Sequence, residues 1–329
     1  MPRMPNQKLK LVYLSEIFRE RTDRQHGLTL AEISSALREY GISAERKSLY
    51  DDIEALKLSG MDIRTVRDSH VRYHLEKGAF DLAELRLLAD AVQSSKFLTA
   101  KKSNELIRKI ESLGSKYEAS QLHKQVYSTE GLKTENEEIY GNIVAIHQAI
   151  AENRKICCKY FEWNANKQRL LRKNGDDYVI SPWALHWDNE FYYLVAYDSD
   201  ARIIKHFRVD KMLRVRLLED KREGSHAFED FDMAIYSQRI FGMYGGEQMN
   251  VRILADNSLI GVVLDRFGSG VTILNHEDCF EFCVKVMISP TFFSWVLGFG
   301  GKMKILSPES VAAEAVRIAK EAVSRYEEN

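Results

Sequence analysis

At 329 residues, 45% hydrophobic and 29% charged, the chain has an ordinary globular composition and is too long for a single compact core. Its formal net charge of −1 conceals strong local asymmetry, so any anion-binding role must rest on clusters rather than on the total. No run of about 18 apolar residues and no N-terminal apolar signal core occur. A cytoplasmic protein is therefore expected, with reduced thiols at Cys157, Cys158, Cys279 and Cys283 and no zinc-binding spacing among them.

Leu9, Val12, Tyr13 and Ile17 recur at helical spacing and predict a first helix. Thr29-Leu30-Ala31-Glu32 reads as a capping box opening a second helix, which turns Leu30, Ile33 and Leu37 inward and stops at Gly41. Ser43 is expected to cap a third helix, with Leu49, Ile53 and Leu56 as its buried stripe and Lys47, Tyr50, Asp51 and Glu54 opposite. A strand from Met61 to Val66, a turn at Arg67-Asp68-Ser69-His70 and a strand from Val71 to Leu75 follow.

Two short helices joined by a tight turn, then a hairpin, are the pattern of a winged helix-turn-helix; a protein-interaction module is the alternative. Residues 1–76 hold 13 Lys and Arg against 12 Asp and Glu, a difference of +1, which does not decide between them. Location is more informative. Ser43, Arg46, Lys47 and Tyr50 gather at the tip of the third helix, where a recognition helix meets bases and phosphates. Arg64, Arg67 and Arg72 decorate the hairpin, as backbone tracking by a wing requires.

Beyond residue 79, Leu82, Leu85, Leu88 and Val92 predict one amphipathic helix. Thr99 can cap another, carrying Leu106, Ile107, Ile110 and Leu113. The pattern fades from Gly114 to Glu138, as in a linker, and helical spacing resumes over Tyr140 to Glu152. These helices carry no chemistry of their own and suit dimerisation and transmission.

Residues 154–173 carry seven cations against Glu162, a local +6, interleaved with Tyr160, Phe161 and Trp163. Residues 174–201 carry six acids and no Lys or Arg, a local −6. Trp187 and Phe191 to Tyr197 read as strands around the turn Asp188-Asn189-Glu190, with Ile203 to Val209 as a third strand. Residues 202–222 hold eight cations against three acids, a local +5. Cations on strands beside aromatic rings suit an anionic ligand. The candidates are Tyr160, Arg169, Arg172, Tyr193, Lys205, His206 and Arg208, the planar fork of Arg208 being best matched to phosphate or carboxylate. The competing possibility is a solvated face whose cations pair with the turn acids, Arg208 with Asp210 among them. Trp183 and Trp187 are expected in the core.

From Met249 onward the pattern is strand, helix, strand, strand, helix, strand, with a last helix opened by Pro308; this order is ferredoxin-like. Gly298-Phe299-Gly300-Gly301 ends a helix instead of opening one and is no dinucleotide loop.

Pro182, Tyr192-Tyr193-Leu194, Ala196-Tyr197-Asp198 and Phe207-Arg208-Val209-Asp210-Lys211-Met212 resemble the WYL domain of bacterial transcriptional regulators, with Tyr192 at the position of the namesake Trp and Lys205-His206 where an Arg is usual. Arg46 to Leu56 is similar to the winged helix-turn-helix found before such domains, with Asp51 where many relatives carry Arg. Phe292 to Gly300 and Leu306-Ser307-Pro308-Glu309 resemble the extension that commonly follows.

The resemblance implies an α+β chain in four parts: a winged helix-turn-helix at 1–78, a helical linker at 79–138, an Sm- or SH3-like β-barrel at 139–222 and a ferredoxin-like WCX-type domain at 247–329. It also implies a ligand-sensing transcriptional regulator. The cation clusters suggest that it senses a phosphate-bearing effector, a nucleotide or short single-stranded nucleic acid, and the small footprint of one winged helix suggests a homodimer on a double-stranded DNA operator. No cofactor, membrane attachment or enzymatic activity is expected. An RNA-binding Sm-like module and a metabolic enzyme fused to a winged helix are the alternatives, although HExxH, GxSxG and P-loop motifs are absent.

Overall fold

Three helices and a hairpin build the first part of the chain: α1 (Lys10–Arg21), α2 (Leu30–Glu39), α3 (Arg46–Leu58), β1 (Ile63–Arg67) and β2 (Val71–Leu75). The computed structural model describes residues 7–123, 133–188, 190–229 and 233–327; Asn189 of the expected turn and residues 124–132 of the expected linker lie outside them. The capping box forms as its residues dictate. Thr29 Oγ1 accepts the Glu32 amide at 3.3 Å, and Glu32 Oε2 accepts the Thr29 amide at 2.8 Å. Gly41, at φ 73°, ends α2 in the left-handed region that glycine tolerates.

Leu14, Ile17 and Phe18 of α1 meet Ile33 and Leu37 of α2, Leu49, Ile53 and Leu56 of α3, and Ile63, Tyr73 and Leu75 of the hairpin in one core. Ser43 does not cap α3, which starts at Arg46 with Glu45 at the N-cap and no side-chain capping bond. Burial of Ile42 pins the turn, and Ser43 lies exposed within it.

Helices α4 (Leu82–Ser94), α5 (Ala100–Glu111) and α6 (Lys116–His123) complete a first compact unit, residues 1–135. Thr99 caps α5 by accepting the Lys102 amide at 3.2 Å. On α4, Leu88 is exposed and Ala89 takes its expected place in the buried stripe. Part of the stretch read as a linker is helix α6. Ser115 and Glu118 form a reciprocal cap, with bonds of 3.2 and 2.8 Å, and Leu122 is buried.

The second unit, residues 136–329, opens with α7 (Ile139–Ala151), whose buried Ile139, Asn142, Ile146 and Ala149 face a curled antiparallel sheet. Its strands are β3 (Arg154–Trp163), β4 (Arg169–Leu171), β5 (Tyr178–Asp188), β6 (Phe191–Asp198), β7 (Ile203–Arg208) and β8 (Met212–Lys221). The order is β4-β3-β5-β6-β7, and β8 also pairs with β3. No ladder joins β7 to β8 among the described residues, so the Sm- or SH3-like barrel expected is here a curled antiparallel half-barrel. A short 3-10 turn, Val209–Lys211, links these two strands. All four cysteines are free, and Cys157 and Cys158 are both buried.

Helix α8 (Met233–Arg239) leads to β9 (Glu247–Asp256), α9 (Ile260–Phe267), β10 (Ile273–Asn275), β11 (Cys279–Ile288), α10 (Pro290–Leu297), β12 (Met303–Ser307) and α11 (Glu309–Glu327). The four strands form an antiparallel sheet ordered β10-β11-β9-β12. Phe292, Phe293 and Val296 are buried against this sheet, which assigns that apolar run to the core of its own fold. Among the described residues no helix is long and apolar enough to cross a membrane.

Candidate functional site

Many of the barrel cations pair with a carboxylate. Arg154 pairs with Glu152 at 3.1 Å, Lys155 with Glu223 at 2.5 Å, Lys159 with Asp177 at 3.0 Å, Arg216 with Asp177 at 2.8 Å and Arg172 with Glu162 at 2.9 Å. The acids of the turns fold back onto the strands, so the two positive stretches do not present one bare cationic face.

Lys205 binds Asp198 at 2.6 Å, and Asp198 also accepts the amides of Asp200 and Ala201, so Lys205 secures the β6–β7 turn. His206 meets the Tyr236 hydroxyl at 3.0 Å, and burial pushes its pKa down to about 4. It is a neutral imidazole near pH 7, with no charge to offer an anion. Arg169 lies over the rings of Phe161 and Trp163, 5.0 and 5.3 Å from their centroids. Trp187 is exposed and meets Tyr192 edge-on, contrary to the core position expected; Trp183 stacks on Phe228 at 4.5 Å.

Four expected ligand residues converge around the end of β7. Tyr160 stands edge-on to Phe207 at 5.5 Å, and its hydroxyl accepts the Arg208 amide at 3.2 Å. Burial pushes this phenol up to about 12, so it remains protonated. Tyr193 is directly opposite Arg208 in the β6–β7 register. The Arg208 guanidinium centre is 3.5 Å from the Phe191 ring centroid and grips Asp210 with both prongs, Nε at 3.0 Å and Nη2 at 2.8 Å. Burial opposes the Arg208 charge, but Asp210 outweighs it and holds the pKa above the usual arginine value.

Arg172 completes the group, within electrostatic range of Tyr160 and Lys211. Lys211 is the member that the expected ligand set omits, although it is one of the cations of that stretch. It is half-buried and makes no ion pair among the described residues, and burial followed by the nearby Arg208 charge lowers its pKa. Its place directly after Asp210, within the matched Phe207-to-Met212 run, was the available signal.

In the first unit, Arg46, Lys47 and Tyr50 are exposed on the first turns of α3, and Arg46 Nη2 is 3.4 Å from the Tyr50 hydroxyl. Lys10 anchors this helix by reaching Ser48 at 2.6 Å and Asp52 at 2.5 Å. The hairpin closes on the same place. Tyr73 of β2, whose pKa is raised first by burial, is within electrostatic range of Tyr50, Arg67 and Arg46. Arg72 is within range of Glu32, beside the N-terminus of α2. Arg64 pairs with Asp62 at 2.8 Å, whereas Arg46, Lys47, Arg67 and Arg72 form no ion pair among the described residues.

The WYL domain family matches residues 141–217, which contain most of α7 and the half-barrel through most of β8. The WCX domain family matches residues 247–323, the four-stranded sheet and its helices. The chain carries a WYL domain followed by a WCX domain. The Arg208 group therefore belongs to the WYL domain. No curated protein matches the chain. Among solved structures, the proteasome accessory factor B/C (PafBC) of Arthrobacter aurescens is similar at 21% identity, over 93% of this chain and 46% of that one, with a TM-score of 0.30. The chain thus spans about half the length of that protein. A structure described as a CRISPR Cas-related protein is similar at 13% identity, over 75% of this chain and 72% of that one, with a TM-score of 0.38.

Proposed function

We propose that this WYL-domain protein is a ligand-responsive transcriptional regulator that binds duplex DNA through residues 1–78 and senses a phosphate-bearing effector in its WYL domain. The observation that carries the reading is the set of exposed cations that form no ion pair among the described residues where α3 meets the hairpin: Arg46, Lys47, Arg67 and Arg72. Exposed cations outside ion pairs, at a helix tip and an adjacent hairpin, are what phosphate and base contact requires. The α3 N-terminus adds to this, because Glu45 makes no capping bond and the first turn holds no acidic residue. In these terms α2, α3 and the hairpin are read as a winged helix-turn-helix, and the β10-β11-β9-β12 order as a ferredoxin-like fold.

In the WYL domain the effector's phosphate would take Lys211 and compete with Asp210 for the Arg208 fork, with Tyr193 and Arg172 beside it. Two DNA-binding units acting together require a homodimer, since one helix and hairpin cover a small footprint. Sedimentation velocity at micromolar concentration is expected to give a dimer.

The deciding experiment is duplex DNA binding against RNA binding, each titrated with salt. Replacing Arg46, Lys47 and Tyr50 together with Ala should weaken binding to a mapped operator by about 1–3 kcal/mol per lost base contact. Ala at Arg67 and Arg72 should instead flatten the salt dependence without changing sequence preference. Preference for RNA, or unchanged duplex binding by the triple variant, would overturn the assignment.

A further inference from the structure

The carbonyl of Asp210, the residue that grips Arg208, accepts a hydrogen bond from Asn136 Nδ2 at 2.9 Å. The same amide group donates to the Met212 carbonyl at 2.8 Å, which also accepts Asn142 Nδ2 at 2.8 Å. Asn136 is buried, and its Oδ1 accepts the Glu138 amide at 3.0 Å at the start of α7. Its side chain is thus used on both sides to hold the 209–212 turn in one position relative to the entry of α7. Glu138 reinforces the hold by accepting the Arg214 amide at 2.6 Å.

Asn136 is also the first residue of the second unit. Immediately upstream, the chain is fastened to the first unit. The Thr134 amide donates to the Lys96 carbonyl at 2.9 Å. Lys133 Nζ donates to the carbonyls of Val92 at 3.3 Å, Gln93 at 2.8 Å and Ser95 at 3.0 Å, the C-terminal end of α4, where a cation is favoured by the helix dipole. Between the Thr134 amide and the Asn136 side chain only Glu135 intervenes. Three peptide units separate Lys133 from Asn136, at most about 11 Å of chain, so the two anchors are joined by a short covalent path.

We infer that residues 133–136 are a strap through which the Arg208–Asp210 pair is coupled to the end of α4, with Asn136 and Lys133 as its positioning residues. The inference rests on the reading of Arg208 as part of an effector site. A phosphate that takes the Arg208 fork releases the Asp210 carboxylate, and the turn carrying it is the one whose carbonyls hold Asn136. Any relaxation of that turn is then felt at Asn136 and, one residue on, at the anchor in the first unit.

Two measurements on the full chain test this separately from the effector assignment. The first needs no ligand. Amide hydrogen exchange is compared between Asp210 and Asp210→Asn proteins, in the wild-type and Lys133→Met backgrounds, with Arg208→Lys as a second perturbation should Asp210→Asn fail to fold. The expected result is faster exchange at 209–214, 136–142 and 92–97 in the wild-type background. In the Lys133→Met background the perturbation should add nothing at 92–97. Altered exchange at 209–214 with 92–97 unmoved in the wild-type background would overturn the strap.

The second measurement uses a short single-stranded oligonucleotide as probe and duplex DNA as readout. The wild-type protein should show a change in duplex affinity of about 5–150-fold on adding the oligonucleotide. Lys133→Met should reduce this to less than about 3-fold while oligonucleotide affinity is kept, a split that a merely structural lysine would not produce. A full response in Lys133→Met sinks the strap. Failure of the wild-type protein to bind the oligonucleotide sinks the effector reading alone, and the exchange result then decides the strap.

Discussion

Arg208 and Asp210 are separated by one residue, and the 3-10 turn after β7 lets them close a two-pronged pair. The Asp210 side chain is only 8% exposed, so removing its partner strands a carboxylate away from water. Arg208→Ala is therefore expected to cost about 3 kcal/mol, read from the urea midpoint, while Arg208→Ala with Asp210→Ala costs less than the single change. An equal or greater loss in the double variant would show that the pair is not a unit.

His206 supplies a pH signature. Its folded pKa of about 4 is below the unfolded value near 6.5, so the unfolded chain takes up a proton first as the pH falls. Stability is full above pH 6.5 and declines between 6.5 and 4, by up to about 3 kcal/mol from this group. His206→Gln, which does not titrate, should remove that share of the decline when urea midpoints at pH 7 and pH 5 are compared. The sequence exposed both the Arg208 fork and the possibility of its pairing with Asp210. The fate of His206 was not legible, because the partner that buries it, Tyr236, comes from a helix 30 residues away.

Elements were legible where local chemistry decides them. Thr29 and Glu32 announced α2, and Thr29→Ala is expected to cost about 1 kcal/mol in the thermal or urea unfolding of the first unit. Helix α6 escaped notice although Ser115 and Glu118 carry the same reciprocal cap, since only Leu122 marks its buried side. Ser115→Ala should cost a similar ~1 kcal/mol, with loss of protection confined to α6 and its neighbours. The start of α3 was misplaced at Ser43 because the burial of Ile42 overrides the capping preference of a serine. The C-terminal strands and helices were legible almost residue by residue, as alternating apolar positions on β9 and β11 meet a single covered face. The half-barrel was legible as strands but not as an open sheet, for its closure depends on which strand borders β8.

At the scale of the whole molecule, two compact units meet at residue 135, each with its own buried core. Separate cores predict more than one cooperative transition. Calorimetry of the full chain should give a total enthalpy larger than the van't Hoff value, and coincidence of the two would argue for a single cooperative unit. The bonds of Asn136 at this boundary were not legible, since an asparagine in a polar stretch is indistinguishable from linker until its carbonyl partners are placed.

The tryptophans divide unevenly across that boundary. Trp163, Trp183, Trp187 and Trp295 all belong to the second unit, and the first unit has none. Indole fluorescence is therefore a one-sided witness. It will follow the half-barrel, the Trp183–Phe228 stack and the C-terminal core, and will stay silent while the first unit melts. Far-ultraviolet dichroism, which counts helices in both units, should consequently part company with tryptophan emission along a denaturation curve, and the gap between the two traces is the optical portrait of the first unit alone.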